Sequence, residues 1–258
     1  MSDLFDVSGK TALVTGGSRG IGLMTARGLV RAGARVIVSS RKAANVEAAA
    51  EELAELGECV AIPGDVSTPE GAEQLAAATR ERFEKLDILV NNAGAGWGAP
   101  LEEFPPGGWE KVLHTNVQGV FELTIDLLPA LRAAADADDP ARVINIGSID
   151  GLRTPSLENY SYSASKAAVH MVTRHLAKRL ATEHITVNAI APGPFESKMT
   201  AFMFETQESR EMVEGMVPLG RIGHEDDVAG LTLFLASRAG AYLTGAVIPL
   251  DGGITGCN

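Results

Sequence analysis

The sequence predicts an α/β fold in which a single domain is built on one doubly wound parallel sheet with helices on both faces. Three observations predict it. Short apolar runs alternate with stretches of helical periodicity almost from end to end. The runs are continuously apolar rather than alternating, as strands covered on both faces must be. The first run ends in a glycine-rich turn that opens a helix. With 258 residues and 45% hydrophobic content the chain can build one sizeable core, so one domain over residues 1–258 is expected.

Thr11-Ala-Leu-Val-Thr15 reads as the first buried strand, residues 20–33 as a helix and Arg35-Val-Ile-Val-Ser39 as the second strand. An Ala- and Glu-rich helix follows over residues 43–57, then a short strand near 59–62 and a helix near 69–83. Asp87-Ile-Leu-Val-Asn91 is the fourth strand. Residues 109–135 carry helical spacing at Val112, Val120, Leu123 and Leu127, with a kink expected at Pro129. Arg142-Val-Ile-Asn-Ile-Gly147 is the fifth strand, residues 160–184 a long helix, and Ile185-Thr-Val-Asn-Ala-Ile190 the sixth strand. A helix over 225–237 and a strand over 246–250 close the pattern. Residues 193–218 form the one long stretch without a clear strand. Its Met199, Phe202, Met203, Phe204, Met212 and Met216 suit either a mobile flap over a pocket or a helical hairpin packed on the core.

Composition excludes several function classes. The net charge is −11, from 22 basic against 33 acidic residues, so nucleic acids and anionic membranes are not expected partners. No apolar run approaches the roughly 20 residues that span a bilayer, and the N-terminus lacks the basic region of a secretory signal. Two scattered cysteines, Cys59 and Cys257, suggest neither a disulfide framework nor a metal cluster. A cytoplasmic location is expected.

Thr15-Gly-Gly-Ser-Arg-Gly-Ile-Gly22 sits between strand and helix. Gly16, Gly20 and Gly22 let the backbone turn sharply and approach a pyrophosphate, and the helix N-terminus beyond offers free N–H groups. Asn91-Asn-Ala-Gly94 ends the fourth strand, where ligands of open parallel sheets bind; its amides suit a cofactor contact or a backbone clamp. Asp65 follows the third strand and suits either an adenine contact or a turn. Tyr162-Ser-Ala-Ser-Lys166 places a phenol and an ammonium four residues apart, on one helix face. A cation there favours phenolate, making Tyr162 a usable general acid or base. Tyr160 is the competitor, but six residues before Lys166 it lies on the far side. Ser148, closing the fifth strand, can hydrogen-bond a substrate carbonyl oxygen as charge develops.

Taken in order, the glycine-rich turn, Asn91-Asn-Ala-Gly94, Ser148, Tyr162-x-x-x-Lys166 and Pro192-Gly193 resemble the short-chain dehydrogenase/reductase family over essentially the whole chain. Gly220-Arg-Ile-Gly223, Tyr242-Leu-Thr-Gly245 and Asp251-Gly-Gly253 are most similar to bacterial 3-oxoacyl-(acyl carrier protein) reductases. The resemblance implies a Rossmann-type sheet and a carbonyl reductase or, alternatively, an alcohol or polyol dehydrogenase or a silent NADP-binding regulator. It implies that Tyr162 passes a proton, Lys166 holds the nicotinamide ribose, Ser148 orients the carbonyl and Asn116 supports a water-linked proton relay. For the cofactor it implies Gly16, Ser18, Arg19, Gly20, Ile21 and Gly22 in the turn, Asp65 and Val66 after the third strand, and Asn92, Ala93 and Gly94 after the fourth. Pro192, Gly193 and Ser197 would line the nicotinamide, with residues 193–218 as a flexible substrate loop. The gap from Ser148 to Tyr162 is one residue longer than the family's commonest spacing.

The end of the second strand, Val36-Ile-Val-Ser-Ser-Arg-Lys42, predicts NADPH rather than NADH. It has no acidic residue for a free ribose 2′-hydroxyl, whereas Ser40 and Arg41, with Arg19 opposite, suit a 2′-phosphate. The helix over 164–181 carries small or apolar residues on more than one face (Ala167, Ala168, Met171, Val172, Leu176), which predicts a homo-oligomer; the family points to a tetramer paired through this helix and the one from Trp109.

Overall fold

A computed structural model describes residues 2–198 and 200–257. Seven strands form one sheet in the order β3-β2-β1-β4-β5-β6-β7, and every neighbouring pair is parallel. The strands are β1 (Thr11–Thr15), β2 (Arg35–Ser40), β3 (Cys59–Pro63), β4 (Ile88–Asn91), β5 (Ala141–Ile146), β6 (Ile185–Pro192) and β7 (Val247–Leu250). All seven predicted strands are present. The order reverses between β1 and β4, so the carboxyl ends of these two strands flank the crevice of a doubly wound sheet.

Alternate residues of the same strands feed two apolar layers. Leu13, Ile37, Leu89, Val143 and Val187 face one; Val14, Val38, Ile88, Val90, Ile144 and Ile190 face the other. The first layer is closed by α3 (Pro69–Arg82), α5 (Gly119–Asp126), α6 (Leu128–Ala134) and α7 (Tyr160–Leu180), the second by α1 (Gly20–Arg31), α2 (Ala43–Ala54) and α9 (Glu225–Ala236). Central strands with both faces covered must be apolar throughout, which is why they read as continuous runs. Local signals set several helix ends. Thr68 caps α3 by accepting from the Gly71 N–H at 3.1 Å, with Pro69 at the first helical position.

One expectation needs correction, and a pair of alternatives can be compared with the structure. Residues 109–135 are not one kinked helix. They divide into α4 (Pro106–Leu113), a π-helical turn (His114–Gln118), α5 and α6. Pro129 does break the path, at the α5–α6 junction, but the π turn has no proline or glycine to announce it. Residues 193–218 contain a 3₁₀ turn (Ala201–Met203) and α8 (Gln207–Gly215), whose Thr206–Ser209 capping box starts the helix. Val213 and Val217 are buried while Met212 and Met216 are exposed. The segment therefore has the build of a helical hairpin with one face on the core. Met199 lies outside the described residues, as does the Phe202 side chain.

Candidate active site

The glycine-rich turn joins β1 to α1. Gly16 (φ +63°) and Gly20 (φ +53°) occupy the left-handed region. A Cβ on Gly22 would lie 2.3 Å from both the Gly16 carbonyl oxygen and Asn92 Nδ2, so only glycine fits. The Asn92 side chain donates to the carbonyls of Thr15 (2.9 Å) and Gly16 (3.2 Å). Thr15 Oγ1 in turn accepts the N–H groups of Asn92 and Ala93, each at 3.0 Å. Of the two readings open for these amides, the side chain of Asn92 takes the backbone clamp. Arg19, the residue before α1, supplies no side-chain cap. The first turn of α1 thus keeps N–H groups and a positive dipole end for an anion.

The end of β2 lies against this turn. Gly17 N–H donates to the Ser39 carbonyl at 3.1 Å, and Gly64 N–H to the Ser40 carbonyl at 3.1 Å. The hydroxyls of Ser39 and Ser40 are buried and have no hydrogen-bond partner. Arg19 and Arg41 are exposed, and neither has an acidic partner among the described residues. Asp65 Oδ1 accepts from the N–H (3.0 Å) and hydroxyl (2.6 Å) of Ser67, so at least this oxygen serves a turn. The Val66 carbonyl sits where a side chain on Gly119 would stand, 1.9 Å from that Cβ position, which ties this loop to α5. On the other side of the crevice, a Cβ on Gly20 would lie 3.1 Å from Ser197 Cβ, so the loop after β6 reaches over the turn. Ser197 is pinned by Thr200, whose hydroxyl accepts the Ser197 N–H at 3.0 Å. Gly193, following Pro192, donates its N–H to Leu250 at 2.9 Å. A glycine cradle, an uncapped helix start, orphaned hydroxyls and two unpaired guanidinium groups fit a dinucleotide carrying an extra phosphate.

On α7, Tyr162 is partly buried and Lys166 fully so. Lys166 Nζ lies 5.6 Å from the centroid of the Tyr162 ring and donates to the Ile146 carbonyl at 2.7 Å. A Cβ on Gly94 would lie 3.8 Å from it, which places the end of β4 beside the ammonium. Ser148 follows β5 and accepts the Asp150 N–H at 3.1 Å, and its hydroxyl is near enough to the Tyr162 phenol to favour the phenolate. The expectation that Lys166 lowers the phenol's pKa is corrected. Burial pushes Tyr162 up to about 12, the Ser148 hydrogen bond opposes that, and the Asp150 charge adds to it. Removing water from a phenolate costs more here than the Ser148 hydrogen bond returns. Burial likewise pulls Lys166 down to about 8.

Tyr160 donates to Glu158 at 3.0 Å and packs edge-on against Phe104, away from the crevice. Asn116 is turned inward by the π turn and is 1% exposed. Its Oδ1 accepts the Ala95 N–H at 2.7 Å, and its Nδ2 donates to the Ala95 carbonyl and Ser165 Oγ, both at 2.9 Å. It therefore ties the strand-end loop to the helix that carries Tyr162 and Lys166. Several supporting contacts were not expected from sequence, and Asn91, whose amide was read as a cofactor contact or a backbone clamp, makes two of them. Asn91 donates to Asn145 (2.9 Å) and Thr124 (3.1 Å), and Asn145 donates to Thr173 (2.9 Å). Asn159 donates to Asp150 at 3.1 Å, bracing the loop that is one residue longer than usual. Polar residues interrupting apolar runs at 91 and 145 were the available signal. Among the described residues no group of three or more metal-ligating side chains could hold a metal ion, and no helix is long and apolar enough to cross a membrane.

A family model described as enoyl-(acyl carrier protein) reductase, of the short-chain alcohol dehydrogenase type, matches residues 16–255. The chain is 50% identical to the rhamnolipids biosynthesis 3-oxoacyl-[acyl-carrier-protein] reductase of Pseudomonas aeruginosa, across 98% of this chain and 99% of that one. It is 39% identical to a galactitol 2-dehydrogenase (L-tagatose-forming) of Cereibacter sphaeroides, across 98% and 97%. The solved Pseudomonas aeruginosa RhlG/NADP active-site complex superposes with a TM-score of 0.96 at 50% identity, covering 99% of this chain and all of that one.

Proposed function

Because the chain belongs to the short-chain dehydrogenase/reductase family, we propose that it is an NADPH-dependent carbonyl reductase acting on a 3-oxoacyl thioester or a related ketone. The observation that carries this reading is the convergence of Ser148, Tyr162 and Lys166 at the mouth of the glycine-rich cradle. When bound, NADPH supplies the hydride. Ser148 donates a hydrogen bond to the substrate oxygen, and Tyr162 delivers the proton as charge develops there. A phenol held protonated by burial is suited to the donor's role in the reducing direction. Lys166 holds the ribose, and Asn116 keeps the Ala95 loop and α7 in register while supporting the proton relay. The turn from Gly16 and Ser18 to Ile21 and Gly22 takes the pyrophosphate, with Asn92, Ala93 and Gly94 forming the opposite wall. Ser40, Arg41 and Arg19 take the 2′-phosphate, Asp65 and Val66 the adenine, and Pro192, Gly193 and Ser197 the nicotinamide.

Residues 1–258 act as one domain, with residues 193–218 as its substrate loop. A homotetramer is supported by exposed apolar residues on two neighbouring helices, Trp109 and Leu113 on α4 and Phe121 and Ile125 on α5. A cytoplasmic location suits two cysteines that are unpaired. A second reading, a polyol dehydrogenase, is favoured by the 39% identity to the galactitol enzyme. The test follows absorbance of the reduced cofactor with acyl thioesters, cyclic ketones and sugar ketoses. Consumption of NADPH with a 3-oxoacyl thioester, lost by about 100- to 10,000-fold in Tyr162→Phe, is the expected result. Turnover confined to sugars favours the second reading. No turnover with any carbonyl overturns both.

A further inference from the structure

We propose that His170 is a positioning residue that holds the Ser148 loop at the height where Ser148 meets the Tyr162 phenol. The inference rests on the assignment of Ser148 and Tyr162 made above. His170 lies four residues beyond Lys166 and eight beyond Tyr162, so the three share one face of α7. It is 3% exposed. The loop that carries Ser148 is bounded by Gly147 and Gly151, and the imidazole fills the space that both glycines leave. A Cβ on Gly147 would lie 2.2 Å from His170 Nε2, and one on Gly151 would lie 2.9 Å from His170 Cε1. At Gly147 the ring is the nearest neighbour, ahead of the Ile190 carbonyl at 3.3 Å; at Gly151 it stands beside the α7 backbone of Lys166 and Ala167, each 2.6 Å from the Cβ position.

A buried imidazole with neither nitrogen at hydrogen-bond geometry is a costly way to fill space. Burial and the charge of Lys166, with a smaller contribution from Arg174, disfavour a ring proton more than the Gly151 backbone favours one, so the ring is neutral above about pH 4. A leucine would fill a similar volume without orphaned nitrogens. What the ring supplies instead is a flat, rigid spacer between the end of β5 and the helix bearing the acid–base group. Because the glycines make the loop's path depend on that spacer, its thickness sets the separation of Ser148 from Tyr162.

The test uses the full-length protein with His170→Ala and His170→Leu. NADPH affinity is read from nucleotide fluorescence, kcat and KM from steady-state reduction, and protection of residues 147–151 from hydrogen exchange. The expected result is NADPH affinity close to that of the parent, kcat lowered by about 10- to 100-fold as for a misplaced catalytic group, and faster exchange in 147–151. Added imidazole should restore kcat and protection in His170→Ala, where it finds the empty space, and not in His170→Leu. Parent-like kcat in either variant overturns the proposal. So does a parallel loss of NADPH binding and kcat that imidazole leaves unchanged, which marks ordinary core packing. If the parent reduces no carbonyl, the functional reading fails separately. The exchange measurement then decides, with imidazole-restored protection supporting the spacer and parent-like protection in His170→Ala overturning it.

Discussion

Lys166 is held by one strong contact, the Ile146 carbonyl at 2.7 Å, and burial brings its pKa down to about 8. The group is an ammonium below that value and a neutral amine above it. Work that needs the cation is therefore lost as pH rises through about 8, and turnover should show an alkaline limb there. Lys166→Ala should remove the limb, lower kcat and weaken NADPH binding, whereas Tyr162→Phe should spare binding. Equal NADPH affinity in Lys166→Ala and parent would contradict the double role. His170 carries a second consequence. The unfolded chain takes up its proton near 6.5, the folded chain only near 4. Stability should thus fall as pH drops from about 6.5 to about 4, by about 3 kcal/mol, and change no further below. Urea unfolding of parent and His170→Leu across this range checks the sign: only the parent should lose this component. The pairing of Tyr162 with Lys166 was legible from their spacing. The upward push on the phenol was not, because it depends on what covers the helix.

At the scale of elements, the proposed preference for NADPH rests on the place where β2 ends against the glycine-rich turn. Arg41 follows the buried, unpartnered hydroxyls of Ser39 and Ser40, and Arg19 lies in that turn. Hydrogen bonds to a charged group are worth about 1.5–3 kcal/mol, so Arg41→Ala should lower catalytic efficiency with NADPH by about 10- to 100-fold. Efficiency with NADH should hardly change. An unaltered ratio of the two would mean that Arg41 only solvates the loop. These strand ends were readable because turn glycines and the residue types after a strand are local signals. The division of residues 109–135 was not. An i to i+5 bonded turn at His114–Gln118 lies where α4, packed on α7, joins α5, packed on α3, and no residue in it demands that bond. Its effect is to rotate Asn116 into the interior, where it meets Ala95 and Ser165.

The whole molecule leaves an apolar stripe uncovered. Trp109, Leu113, Phe121 and Ile125 are exposed at four-residue intervals or multiples of them along α4 and α5, and Met171 is exposed on α7. Leu176, predicted to lie on the second face, is instead buried in the monomer's own core with Leu180 and Val187. The expected pairing surface thus rests on these residues of α4 and α5 together with Met171 of α7. Light scattering should give a mass several times 27.0 kDa, and Phe121→Asp should reduce it by placing a charge on the stripe. A parent mass near 27.0 kDa would remove the case for a tetramer.

Sequence alone determined the seven strands, their parallel arrangement, the glycine cradle and the candidate Ser148, Tyr162 and Lys166. Each of these is written in a local or periodic pattern: continuous apolar runs, a turn that only glycine can make, a spacing of four on a helix. Tertiary structure decided what depends on neighbours remote in the chain. It made Asn92 a clamp on Thr15 and Gly16, buried Asn91 against Asn145 and Thr124, turned Asn116 inward, and set His170 beneath the Ser148 loop. Burial and hydrogen-bond partners arise only when distant segments meet, and it is these, through desolvation and fixed geometry, that shift the pKa values of Tyr162 and Lys166.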